Sequence, residues 1–408
     1  MDFLRRRKGS PRDNDDYNDD DDVASTSNVH KSRKPPNTAF RQQRLKAWQP
    51  ILTPKSVIPL LILLAVIFTP LGIAIIYTTY NVQELTVDYS NCHSASGDFE
   101  SIPSSYVGYH FKHKNVNPDF KWKIQNETSN DELVQTCVIQ FNLPRDLDPP
   151  LFLYYRLTNF FQNHRKYVDS YDLEQLSGHA VKDKDVTDTC EPLKHRRIGN
   201  SDKLIYPCGL IANSYFNDTI SSPVLLNTKS GEDNQTYMFT DKDISWPSDR
   251  QHKFKMTTYN PDDIVPPPNW DKMFPNGYTK ENLPNLNEWE HLQNWMRTAA
   301  LPSFFKLYGK NTTEVMTSGT YQISIELNYP VTIFGGTKSI VISTNSIFGG
   351  RNMSLGIIYI IIAIVCLVLG VGFLLQYLIK PRKLGEHNYL QDSNNMGNQE
   401  AANFREQL

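Results

Sequence analysis

VIPLLILLAVIFTPLGIAIIYTT, residues 57–79, is a run of 23 residues without a charge. As a helix it is roughly 35 Å long, enough to cross a hydrocarbon core of about 30 Å with some tilt. A second run, LGIIYIIIAIVCLVLGVGFLLQYLI at residues 355–379, is uncharged over 25 positions. It reaches roughly 37 Å on the same arithmetic. Buried helices of soluble proteins are seldom so long and so free of charge, so both read as transmembrane. The first begins too far from Met1 for a cleaved signal peptide and reads as an uncleaved anchor.

Flanking charge orients the two spans. Residues 23–56 hold seven bases (Lys31, Arg33, Lys34, Arg41, Arg44, Lys46 and Lys55) and no acid, while Glu84 and Asp88 follow the span. Lys380, Arg382 and Lys383 follow the second span. Cytoplasmic flanks collect Lys and Arg, so both termini read as cytoplasmic and residues 80–354 as luminal or extracellular. Five N-x-Ser/Thr sequons, at Asn126, Asn217, Asn234, Asn311 and Asn352, all fall in that region, and neither tail has one. One sequon is weak evidence; five sorted onto the side that charge selects are strong. Asn352 stands close to the second span, with little clearance from a bilayer.

Cysteine usage agrees. Cys92, Cys137, Cys190 and Cys208 lie in the same region, an even number in an oxidising compartment, and Cys366 lies within the second span. Of three possible pairings, Cys92–Cys137 with Cys190–Cys208 closes the shorter loops. Zinc is the rival, but neither C-x-x-C nor a Cys/His spacing supports it.

The domain boundaries follow. Residues 1–36 read as a disordered tail with a basic cluster and an acidic run, and residues 37–56 as a juxtamembrane segment mixing bases with Phe40, Leu45, Trp48 and Ile51. Spans at 57–79 and 355–379 enclose the ectodomain, and 380–408 is a cytoplasmic tail. YQISIELNY at 321–329 alternates apolar and polar residues, as a half-buried antiparallel strand does. Residues 137–143, 151–157 and 338–343 also read as strands. NLNEWEHLQNWMRTAA at 285–300 sets Leu286, Trp289, Leu292, Trp295, Met296 and Ala299 on one helical face, with Asn285 or Asn287 as N-cap. An antiparallel β-sandwich-like ectodomain with helical and loop insertions fits best.

Catalytic signatures are missing: G-x-S-x-G, H-E-x-x-H, a P-loop and a dinucleotide fingerprint are all absent. His110 and His113 sit in a Lys-rich stretch that reads as surface, and His164 has no nucleophile near it in sequence. No metal or cofactor site is expected. The net charge of −2 argues against a nucleic-acid partner. Neither span carries a charged residue, so neither marks a transport path. Each does carry small residues on one stripe, Ala65, Thr69 and Gly72 in the first and Ala363, Cys366 and Gly370 in the second, which suits close helix packing.

Long, unusual segments carry a resemblance: KPPNTAFRQQRLKAWQPILTP (34–54), YYRLTNFFQNHRKYV (154–168), YPCGLIANSYFNDT (206–219), ISWPSDR (244–250), WMRTAALPSFFKLYGK (295–310) and ELNYPVTIFGGTKSIVISTNSIFGGRNMSLG (326–356). They resemble the cell division control protein fifty / ligand-effect modulator family, and its fungal members in particular. These are the non-catalytic β subunits of type IV P-type ATPases, the phospholipid flippases. The resemblance implies a β-sandwich over an ATPase, two spans packed on the ATPase's membrane helices, and a heterodimer in contact with membrane lipid. It implies a need for the subunit in exit from the endoplasmic reticulum and in lipid flipping, with residence in the trans-Golgi network or endosomes, or else in the endoplasmic reticulum or plasma membrane. Cys190 and Cys208 match the family's second cysteine pair; animal members tend to have extra cysteines earlier, so the first pair does not carry over. The match over 34–54 points to Arg41, Arg44, Lys46 and Trp48 as partner contacts. A free-standing cell-surface glycoprotein that binds a ligand is the alternative, and a membrane-anchored luminal enzyme ranks third.

Overall fold

In the computed structural model, the residues described are 38–45, 52–111, 118–129, 132–226, 234–345 and 350–380. Lys46 and Trp48 of the juxtamembrane segment and His113 lie outside them. The chain divides into two units, residues 1–53 and residues 54–408. Within the first, residues 38–45 form a turn closed by Arg44 N–H donating to Ala39 O at 2.7 Å, with Arg41 and Arg44 exposed.

The second unit begins with α1 (Pro54–Tyr80). The main strands that follow are β1 (Glu84–Asp88), β2 (Val107–His110), β3 (Phe120–Ser129), β4 (Glu132–Leu143) and β5 (Leu151–Leu157). After a long irregular region come α2 (Glu290–Met296), β6 (Phe304–Asn311), β7 (Gly319–Glu326), β8 (Lys338–Thr344) and α3 (Ser354–Ile379). Both long helices outrun the expected spans by a few residues at most. They are long and apolar enough to cross a membrane.

Two antiparallel sheets form the ectodomain. One has the order β6-β5-β8-β1-β2. The other runs from Gln235–Thr236 through Val224–Leu225, β7, β4 and β3 to Glu100–Ser101, with Thr219–Ile220 added beside β7. Alternation dictates their faces: β5 buries Leu151, Leu153, Tyr155 and Leu157, and β7 buries Tyr321, Ile323 and Ile325. These residues enter one apolar core with Phe141, Trp270 and Trp295. A third small sheet joins His195–Ile198, Ser201–Ile205 and Ile264–Val265, the last pair parallel.

β1 and β8 are paired neighbours, Glu84 opposite Ser343, so the chain leaves the two helices into adjacent strands of one sheet. That fixes a membrane-proximal end at Glu84 and Thr344. The far end lies at Leu157, Phe304 and Lys338, which share one register, and at Asp88, opposite Ser339.

Two expectations need correction. The helix expected over 285–300 is confined to Glu290–Met296, with Trp289 as N-cap. Asn287 is no cap: its side-chain amide donates to Arg250 O and Phe254 O at 2.8 and 2.9 Å, which holds residues 285–289 as a turn. The strand expected over 321–329 stops at Glu326, because Asn328 and Tyr329 give their backbone N–H groups to Asp218 instead of to a ladder.

Candidate functional site

The segment around Cys208 is built into the centre of the ectodomain. Cys208 N–H donates to Gln175 Oε1 at 3.0 Å, and Leu210 N–H to Ser170 Oγ at 2.9 Å. Trp270 and Trp295 donate their indole N–H groups to Ala212 O and Ile211 O at 2.9 and 2.8 Å. Gly209 has φ +100°, and a Cβ there would lie 2.1 Å from Ser170 O, so only glycine fits. Cys190 is joined to Cys208 with Cα atoms 5.6 Å apart, and Cys92 to Cys137 at 5.9 Å. The second bond ties the turn after β1 to β4, and hence one sheet to the other.

A second clamp joins the sheets. Asp218, in the middle of the Asn217 sequon, is buried and accepts from Lys338 Nζ at 2.7 Å and Tyr89 Oη at 3.0 Å. It also accepts from the backbone N–H groups of Asn328 and Tyr329, both at 2.6 Å. Asp218 precedes the strand beside β7, whereas Lys338 opens β8 and Tyr89 follows β1, so the ion pair spans the two layers. Four donors use up the lone-pair directions of the carboxylate, leaving it no capacity for a substrate. Burial lowers the Lys338 pKa against the pull of Asp218 and raises that of Tyr89 well above the usual phenol range. Sequence reasoning singled out Asn217 here and missed its neighbour, because nothing local marks a buried acid.

A third network caps α2. Glu290 accepts from Asp243 N–H, Ser245 N–H and Arg250 Nη1 at 3.0, 2.9 and 3.2 Å. Burial would raise its carboxyl, but those donors outweigh it and hold the pKa below the ordinary glutamate value.

The sequons separate. Asn126 and Asn234 are exposed, and Asn217 is half-buried. Asn352 is exposed, with its side-chain oxygen accepting from Ser354 N–H at the start of α3. Asn311 departs from expectation: it is buried at 7% exposure, and its side-chain nitrogen donates to Met238 O and Glu314 Oε2 at 2.9 and 3.2 Å.

The long helices meet along a seven-residue repeat, Ile58, Ala65, Gly72 and Thr79 on α1 against Gly356, Ala363 and Gly370 on α3. A Cβ on Gly356 would lie 2.6 Å from Ile76 Cγ1 and 3.1 Å from Gly72 O, so the backbones touch at that level. Two members of the expected stripe fall away from the seam. Thr69 is exposed and bonds Ala65 O at 2.8 Å, and Cys366 is only half-buried. The seam keeps to positions seven apart, and the residues between them at steps of three or four, Thr69 and Cys366, turn away from it. Beyond it, most of the apolar surface of both helices is uncovered, including Leu60, Val66, Ile73, Val368 and Leu375.

Together these features define a class: a two-span integral membrane protein carrying an antiparallel two-sheet ectodomain, clamped by disulfides and a buried ion pair. The model of the LEM3 (ligand-effect modulator 3) family / CDC50 family matches residues 75–383, and the chain belongs to that family. It is 50% identical, over 91% of its own length and 92% of the relative's, to the phospholipid-transporting ATPase accessory subunit CRF1 of Saccharomyces cerevisiae. It is 43% identical to the phospholipid-transporting ATPase accessory subunit CDC50 of Chaetomium thermophilum, over 95% and 96% of the two chains. The cell cycle control protein 50A of Mus musculus is 37% identical over 84% and 89%.

Proposed function

We propose that this chain is the non-catalytic accessory subunit of a phospholipid-transporting type IV P-type ATPase. The observation that carries this reading is its likeness, along nearly the whole chain, to relatives that bear that name. The uncovered apolar surface of the helix pair supports it, since a partner's membrane helices would pack there.

In this reading ATP hydrolysis and lipid handling belong to the partner. The subunit binds the ATPase's folded, exit-competent form and stabilises it by mass action. Both termini are cytoplasmic, the glycosylated ectodomain is luminal, and the heterodimer works in the trans-Golgi network or endosomes. Arg41, Arg44, Lys46 and Trp48 contact the partner's cytosolic side. The partner is tested by purification in mild detergent, where a large ATPase is expected in equal amount. Deleting the chain should trap that ATPase in the endoplasmic reticulum and abolish uptake of labelled lipid. An ATPase that reaches its destination and flips lipid normally without the chain overturns the proposal. Alanine at the four juxtamembrane positions should reduce co-purification while leaving the ectodomain folded.

A further inference from the structure

At the membrane-distal end of the ectodomain lies a cleft of about 250 Å³. Its walls come from the short helix Arg165–Val168, the turn Asp249–Lys253 and the end of α2. Val168 follows the distal end of β5, and Arg297 leads into the distal start of β6. The cleft plays no part in the subunit reading above.

Its polar groups are mismatched. Gln293 is 1% exposed, and its Nε2 donates to Leu286 O and Asn287 O at 2.7 and 2.9 Å, which fixes the amide orientation. Its Oε1 is therefore an acceptor, buried and without a partner. The Lys253 ammonium lies 4.6 Å from the Tyr171 ring centroid and 5.4 Å from that of Phe254. Among the described residues no oxygen bonds it, and burial lowers its pKa against the pull of Asp249. On the same turn, Asp249 bonds Arg297 Nε at 3.3 Å, and that guanidinium lies 4.1 Å from the Trp246 ring centroid. Val168, Phe254 and Met296 supply apolar wall.

We propose that this cleft binds a free α-amino acid with a mid-sized apolar side chain. Its carboxylate meets Lys253, its ammonium donates to Gln293 Oε1 and faces Asp249, and its side chain lies against Val168 and Met296. A simple anion would leave the buried oxygen of Gln293 unmet, and a simple cation would face Lys253. The cleft is smaller than the roughly 300–1,000 Å³ usual for drug-sized ligands, which suits a single amino acid rather than a peptide. Its place away from the bilayer argues against a lipid headgroup.

The test uses the full-length glycoprotein, purified in detergent with any ATPase that accompanies it. L-Leucine is the probe, with 4-methylpentanoate (no ammonium) and isopentylamine (no carboxylate) as controls. Expected are saturable binding of L-leucine, a rise in melting temperature with its concentration, and at least about tenfold weaker binding of either control. Lys253→Gln, at a half-buried position, should keep the fold and lose about tenfold in affinity, and Gln293→Met should lose discrimination against 4-methylpentanoate. Should Gln293→Met fail to fold, Lys253→Gln decides alone. Absence of saturable L-leucine binding up to about 10 mM overturns the proposal. So does equal binding of 4-methylpentanoate, or unchanged affinity in Lys253→Gln.

Discussion

Asp218 shows how much one side chain can hold in place. It accepts from a lysine, a tyrosine and two backbone N–H groups. Asp218→Asn leaves Lys338 as a buried, uncompensated charge, a class of change that costs about 3–5 kcal/mol. A large fall in the unfolding midpoint of the purified protein is expected, with partial recovery in Asp218→Asn/Lys338→Met, where the lone charge is gone. Lys306 gives a pH signature. Its Nζ donates to Asn294 O at 2.9 Å and to Arg297 O, capping α2. Burial, reinforced by Arg297, pulls its pKa down from 10.5 to about 7. The unfolded chain therefore binds the extra proton between those two values, so this residue makes stability rise with pH from about 7 to about 10.5. Below about 7 both states are protonated and its contribution is flat. Lys306→Met should remove that slope from the unfolding midpoint measured against pH; an unchanged slope would contradict the assignment.

Among elements, the helix pair and the segment at Cys208 invite substitution. Gly356→Leu forces a side chain into Ile76 and the Gly72 carbonyl and should splay the helices, lowering the melting temperature and co-purification of the ATPase. Gly370→Ala is the control. Its Cβ would lie 3.4 Å from Ile62 Cγ1, an ordinary contact, and it should be tolerated. Both glycines belong to the same seam, so equal effects would mean that packing at the seam does not matter. Cys208→Ser opens a loop of 18 residues, worth about 3 kcal/mol in the chain-entropy model. It should lower folding yield and raise retention in the endoplasmic reticulum, read by sensitivity of the glycans to high-mannose-specific glycosidase.

At the scale of the whole molecule, glycan mapping checks topology and fold at once. Peptide mass spectrometry should find sugar on Asn126, Asn217 and Asn234 and none on Asn311, whose acceptor nitrogen is bonded inside the fold. Modification of Asn311 would mean that its loop is packed differently, and five bare asparagines would reverse the orientation. Much of this architecture is legible in the chain, because the features concerned are local or summed over many residues. Two uncharged runs measure a bilayer, and strict alternation marks β5 and β7. Two element ends were not legible, since competing partners set them: Asn287 is drawn to Arg250 and Phe254, and Asn328 and Tyr329 to Asp218. Of the helix seam, Ala65, Gly72, Ala363 and Gly370 were legible as small residues on one stripe, whereas Thr69 and Cys366 fall off it, because only the facing helix decides which of them are covered. The sequence by itself therefore determined the two spans, the strand-rich ectodomain and the family. Only the tertiary structure decided that Asp218 rather than Asn217 holds the sheets together, that Asn311 is buried, and that Gln293 and Lys253 share a cleft. These depend on contacts between residues tens to more than a hundred positions apart, and burial that turns a polar side chain into a clamp or an unmet acceptor has no local signature.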